Sequence, residues 1–92
     1  DAQREPYMPV LDALERLSQG PFARDVLSAM RSVAPSWLAQ FPALQGPTDV
    51  KRLRRWHSET TPHRMLREFS GLVEALSAER PLTGYTIEIF YP

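Results

Sequence analysis

Apolar positions recur along most of this chain at the spacing of α-helices, and only the last ten residues change period. The clearest repeat lies within PHRMLREFSGLVEALSAERP, residues 62 to 81. Met65, Leu66, Phe69, Leu72, Val73 and Leu76 fall on one face of a 3.6-residue repeat. Thr61 is placed to cap its first turn, and Pro62 suits the first helical position, where a missing N–H costs nothing. Pro81 blocks continuation and pushes Arg80 out of helical geometry. The pattern predicts a helix over 62–79 with Leu66, Phe69, Leu72, Val73 and Leu76 among the most buried residues.

The same reasoning applies upstream. Val10, Leu11, Leu14 and Leu17 predict a helix near 9–19, with Pro9 in its first turn and Gly20 as its stop. Pro21 is expected to open a second helix near 22–34, carried by Phe22, Val26, Leu27, Met30, Val33 and Ala34. With Gly20-Pro21 as the only break, the two should form a tight antiparallel or angled pair. Pro35 ends the second helix, and Ser36 can cap a short turn holding Trp37, Leu38 and Phe41. Pro42 interrupts that turn, and the segment is expected to lid the core. Thr48 is read as the cap of a helix near 49–58, with Asp49 complementing its dipole and Val50, Leu53 and Trp56 or His57 facing inward.

From Leu82 to Tyr91 the period changes to two. Tyr85, Ile87, Ile89 and Tyr91 alternate with Thr86, Glu88 and Phe90, which predicts a strand. A lone strand needs another chain, or an element beyond this one, to pair its backbone. The expected architecture is therefore mostly α: a bundle of three to four helices with one C-terminal β-strand. Residues 1–8 form a lead-in, 9–81 the helical body and 82–92 the strand or tail, all in one domain or part of one.

Composition narrows the chemistry. The 92 residues are 42% hydrophobic and 24% charged, with formal net charge zero and no cysteine. No global field favours nucleic acid or an anionic membrane, and disulfides and thiolate metal sites are excluded. No apolar run approaches the roughly 20 residues of a spanning helix. The polar start, DAQREPYMP, is not a signal peptide, and the missing initial methionine suggests a fragment. A cytoplasmic location is expected.

Candidate sites are few. His57, Glu59 and His63 could ligate a metal in principle, but a Thr-Thr-Pro break separates them, and they read as surface residues. Lys51, Arg52, Arg54 and Arg55 beside Trp56 form the one basic cluster. Arg52, Arg54 and Arg55 are the candidate weak anion patch, and their other reading is a solvated helix face. Asp12, Glu15, Glu68 and Glu74 read as solvated helix charges, with Arg64 and Glu68 an i,i+4 pair. No serine sits in a G-x-S-x-G elbow, and the glycines at 20, 46, 71 and 84 form no G-x-x-x-x-G-K-[ST] loop.

Two blocks, EPYMPVLDALERLSQGP (5 to 21) and RMLREFSGLVEALSAERPL (64 to 82), flank APSWLAQFPAL (34 to 44). In order and spacing they resemble the segment between Walker A and Walker B in large bacterial signalling ATPases. Those are P-loop ATPases of the AAA/STAND type, joined to transcription-regulator, nucleotidyl-cyclase or kinase modules. The resemblance implies the helical part of a P-loop α/β domain whose parent binds ATP and Mg²⁺. It departs from the family after Pro81-Leu82. Where the family runs into paired Walker B acids, this chain has Thr83-Gly84-Tyr85-Thr86-Ile87-Glu88, with Glu88 isolated. No ATP-contacting residue of the family carries over, so the chain is expected to be non-catalytic and to hold no cofactor alone. Its expected partner is the remainder of an ATPase domain or another protein, with no membrane. The alternatives are a helical interaction module pairing through its C-terminal strand, and a DNA-binding domain using the arginines from Arg52 to Arg55.

Overall fold

The computed structural model describes residues 7–54, 59–81 and 83–85, and they are mostly helical. Helix α1 spans Met8–Ser18 with Pro9 in its first turn. Leu11, Leu14 and Leu17 are its buried face. Ser18, also buried, donates its hydroxyl to the Leu14 carbonyl at 2.8 Å. Helical geometry persists through Gln19, whose amide donates to the Arg16 carbonyl at 3.2 Å, and the Gly20 amide donates to the Leu17 carbonyl at 3.3 Å. Gly20 stops the helix without entering the left-handed region.

Pro21 does not open α2 as expected. Residues 20–22 make a turn, closed by the Ala23 amide on the Gly20 carbonyl at 3.1 Å, and α2 runs Ala23–Val33. Val26, Met30 and then Ala34 are fully buried. The α1 and α2 pair packs as expected.

A short helix α3, Pro35–Leu38, follows with Pro35 at its first position. Ala34, not Ser36, occupies the capping position. The segment was expected to lid the core but forms part of it: Trp37, Leu38, Ala39 and Phe41 are all buried. Trp37 donates its indole N–H to the Met65 carbonyl at 2.7 Å, which removes the cost of burying that group. Its ring lies between Tyr7 (5.5 Å, edge-on) and Phe69 (5.4 Å). A 3₁₀ turn, Pro42–Leu44, leads to α4, Pro47–Leu53.

Helix α4 starts two positions earlier than expected. Pro47 is favourable in the first turn, so Gly46 becomes the capping residue and Asp49 falls at the third helical position. From there its carboxylate accepts the Gly46 amide at 3.0 Å. Leu53 is buried as expected, whereas Val50, expected inward, is 47% exposed. The expected continuation to residue 58, with Trp56 and His57, lies outside the described residues.

Helix α5, Pro62–Glu79, is the longest described element and packs on α2 and α3. Its ends are as expected. Thr61 Oγ1 accepts the Arg64 amide at 3.1 Å, and Arg80 is extended before Pro81. Gly71 faces Val33, where an added Cβ would sit 3.7 Å from the Val33 Cβ.

The buried face of α5 is shifted from the expected one, with Leu72 and Leu76 buried as expected and Leu66 not. Met65, Glu68, Leu72 and Leu76 are buried, Phe69 and Val73 are half-buried, and Leu66 is 70% exposed. At about 100° per residue the apolar arc from Leu72 to Leu66 spans about 120°. The α2–α3 layer covers only the side centred near Met65, so Leu66 at the far edge stays in solvent.

The strand expected over residues 82–91 meets a correction at its start. Residues 83–85 are helical, and the remainder of the expected strand lies outside the described residues. Tyr85 is buried. Its hydroxyl donates to the Leu76 carbonyl at 3.0 Å, and its ring meets Phe22 edge-on at 5.2 Å. Arg80 lies over the Phe22 ring at 4.0 Å and pairs with Asp25 at 3.0 Å. Hydrogen bonding to Tyr85, then Asp25, holds its guanidinium above the ordinary arginine range against the effect of burial.

Candidate functional site

The candidate residues from the sequence do not converge. Arg52 lies 3.6 Å from Asp49, which Arg31 also engages at 3.0 Å. Asp49 thus offsets part of the positive charge in the expected anion patch. Lys51 and Arg54 are exposed, and Arg55 lies outside the described residues. The Asp49 carboxyl is held below its usual range, first by the Gly46 amide and then by Arg31 and Arg52, against the opposing effect of burial. Glu59 and His63 are exposed, and His57 lies outside the described residues. Among the described residues no three His, Cys, Asp or Glu side chains come together as a metal site. None of the described helices is long and apolar enough to cross a membrane.

A triphosphate does not fit these residues. The amide of Gly46 at the head of α4 already donates to Asp49, so an anion there would meet a carboxylate. Lys51, the only lysine, lies on that same short helix and follows no glycine loop. No nucleotide chemistry is therefore derived from this chain.

Glu68 is corrected most. Expected in solvent, it is buried. One carboxylate oxygen accepts the Ser36 amide at 2.8 Å and the other accepts the Ser36 hydroxyl at 2.7 Å. Arg64 approaches at 3.4 Å, so the expected i,i+4 pair is present but secondary. The carboxylate satisfies an otherwise unpaired amide in the first turn of α3 and ties that turn to α5. The signal was legible. Glu68 lies three residues after Met65 and four before Leu72, in the inward register.

The site with room for a ligand was not anticipated. An apolar groove of about 360 Å³ runs between α1 and α5. Pro9, Val10 and Ala13 form one wall, and Phe69 and Val73 the other. Leu14, Leu17 and Leu72 form its floor. Leu76 and Tyr85 also line it, with the tyrosine hydroxyl donating to the Leu76 carbonyl. Among the described residues no titratable acid or base other than that phenol lines it. The groove can hold apolar side chains. Leu66, one turn before Phe69 on the same helix, extends the apolar surface into solvent. The sequence signal was the width of the α5 arc, which exceeds what a single packing partner covers.

A different cleft, of about 220 Å³, lies between α2 and α5 and carries Asp25, Ser28, Ser32 and Glu79. Asp25 is committed there to Arg80. Comparison with known proteins adds no relative: no protein-family model, no curated protein and no solved structure matches this chain.

Proposed function

We propose that this chain is the non-catalytic helical portion of a P-loop ATPase of the signalling type, and that its parent binds ATP and couples it to a regulatory output. The observation that carries this reading is the second apolar face of α5. One side of the helix is buried on α2 and α3, and beside it Val73 and Phe69, the latter also meeting Trp37 of α3, line an apolar groove. In an α/β domain a helix that covers a sheet needs this two-sided character, one face for the sheet and a flank for neighbouring helices. The chain leaves α5 through extended Arg80 and Pro81, a few residues before Tyr85, which lines the groove. That is where a helix-to-strand crossover would return along the helix.

A second reading is favoured by the same groove: a helical interaction module that takes the apolar face of a partner segment. The two readings differ in what the adjoining coding sequence contains. Reading the frame on both sides of residues 1–92 is the test. The ATPase reading expects a G-x-x-x-x-G-K-[ST] loop shortly upstream and would be abandoned if the frame held none.

A biochemical prediction accompanies it. Titration calorimetry of this chain with ATP, at physiological salt and with or without Mg²⁺, should give no magnesium-dependent binding. Any attraction to Arg52 or Arg54 would be exposed and screened by salt. A specific micromolar affinity would contradict the assignment of this portion as non-catalytic.

A further inference from the structure

We infer that the exposed seam of α5 is a docking face for a second copy of this chain, and that two α5 helices pair antiparallel about a two-fold axis near Ser70. The inference rests on the reading of the chain as an interaction module, and it names the partner. The seam is apolar and open. Leu66 is 70% exposed and lies two turns before Val73 on nearly the same line of the helix, at about 100° per residue. Ser70 and Ser77, both exposed, continue that line and are small enough for a second helix to approach closely. Val73 and Phe69 lead from the seam into the α1–α5 groove. A knob in solvent thus stands beside a hollow on one face. Two copies related by a two-fold axis set each knob at the other's hollow.

Charge selects the second copy and its direction. The first turn of α5 carries Arg64 and no acid, and its last turn carries Glu79 and no base. Both run against the helix dipole, which favours acids at the N-terminus and bases at the C-terminus. The same order repeats along one flank of the seam. Arg67 lies in the N-terminal half and Glu74 in the C-terminal half, both exposed and neither in an ion pair with a described residue. They are about 10 Å apart along the axis and about 20° apart around it. In an antiparallel pair like flanks meet. A two-fold axis midway between the two residues therefore sets Arg67 of each copy level with Glu74 of the other. The same register sets Leu66 of one copy between Val73 and Ser77 of the other. In a parallel pair this flank meets the α1 side instead, and the match is lost. Antiparallel pairing also opposes the two helix dipoles. Formal net charge is zero, so no overall repulsion resists self-association. Rim pairs of this kind fix orientation, while the apolar seam supplies the attraction. The seam is narrow for a specific interface, so the expected association is micromolar.

The test is sedimentation equilibrium on the full 92-residue chain, from low-micromolar to near-millimolar concentration. A monomer–dimer equilibrium is expected, and Leu66→Ser should weaken it about tenfold or more. Arg67→Glu and Glu74→Arg should each weaken it several-fold, and the two together should restore it. Arg24→Glu makes the same charge change at an exposed position on α2 and should leave the dimer unchanged, which separates local pairing from net charge. Circular dichroism checks that each variant keeps its helices. If Leu66→Ser loses them, the charge exchange decides alone. A chain that stays monomeric throughout would overturn the inference. So would a folded Leu66→Ser variant that dimerises as before, a double exchange that fails to restore the dimer, or an equal loss in Arg24→Glu. Open-ended assembly would overturn it too, because a two-fold pair closes on itself. Below the midpoint of association the chain is monomeric and Leu66 is open to solvent. The two readings fail separately: a monomer removes the second copy as partner, whereas the module reading falls only if the flanking frame supplies a P-loop.

Discussion

The two sides of α5 are built from similar residues and serve different ends. On the α2–α3 side, Met65, Leu72 and Leu76 are buried beside Glu68, whose carboxylate holds the Ser36 amide and hydroxyl. The Trp37 indole adds a directional bond to the Met65 carbonyl on the same side. On the α1 side, Phe69 and Val73 line an apolar groove that Leu72 and Leu76 also reach, with the Tyr85 hydroxyl bonded to the Leu76 carbonyl within α5's own end, and Leu66 beyond them is in solvent. Hydrophobic contacts are non-directional, so apolar residues alone specify burial without specifying a partner. The polar bonds on the first side fix which surface meets which. The second side keeps its apolar area and leaves the choice of occupant to whatever can cover it.

That contrast can be broken from its stronger side first. Leu72→Ala should cost about 2–5 kcal/mol, because it empties a fully buried position. Denaturant melts check it, and in a domain of this size such a loss removes much of the total stability. A loss below about 1 kcal/mol would mean that α5 is not packed on α2 and α3.

Glu68→Ala should come next, at about 1–3 kcal/mol, since it leaves the buried Ser36 amide unpaired. Glu68→Gln should lose less, because its amide oxygen can still accept that bond. Equal losses for the two variants would show that the carboxylate acts through charge alone.

A smaller effect belongs to acid. The Gly46 amide, with Arg31 and Arg52, holds the folded-state pKa of Asp49 below the ordinary aspartate value. At acidic pH the unfolded chain therefore binds its proton more readily than the folded one, and stability rises with pH through that region. The contribution is fully present above about pH 4 and is lost as pH falls through the depressed folded value. Asp49→Asn should flatten this part of the pH–stability curve when melts are run from pH 5 downward. A curve of unchanged slope would remove Asp49 from the account.

The smallest effect sharpens the comparison from the other side. Leu66→Ser should stay within about 0.5 kcal/mol of the parent chain, as expected for an exposed position.

The ends of α5 were legible because local chemistry sets them. Thr61-Pro62 and Arg80-Pro81 act through a side-chain cap and through proline sterics, and both operate within a few residues. The extent of α2 was nearly legible for the same reason. Which half of the apolar arc on α5 is buried was not, because that depends on where α2 and α3 approach. Leu66 and Leu72 are alike in sequence terms and opposite in the fold. Glu68 shows the complementary lesson. Its charge suggested solvent, while its register pointed inward, and a partner 32 positions away in the chain made burial affordable. The start of α4 turned on Pro47, whose preference for the first turn outweighed the capping ability of Thr48.

Paramagnetic solvent relaxation of leucine methyls tests the two-sided character of α5 most directly. A soluble gadolinium chelate is titrated into the methyl-labelled full chain, and the rates at Leu66 and Leu72 are compared. The account predicts strong enhancement at Leu66 and almost none at Leu72. Equal shielding of the two, or the reverse order, would contradict it.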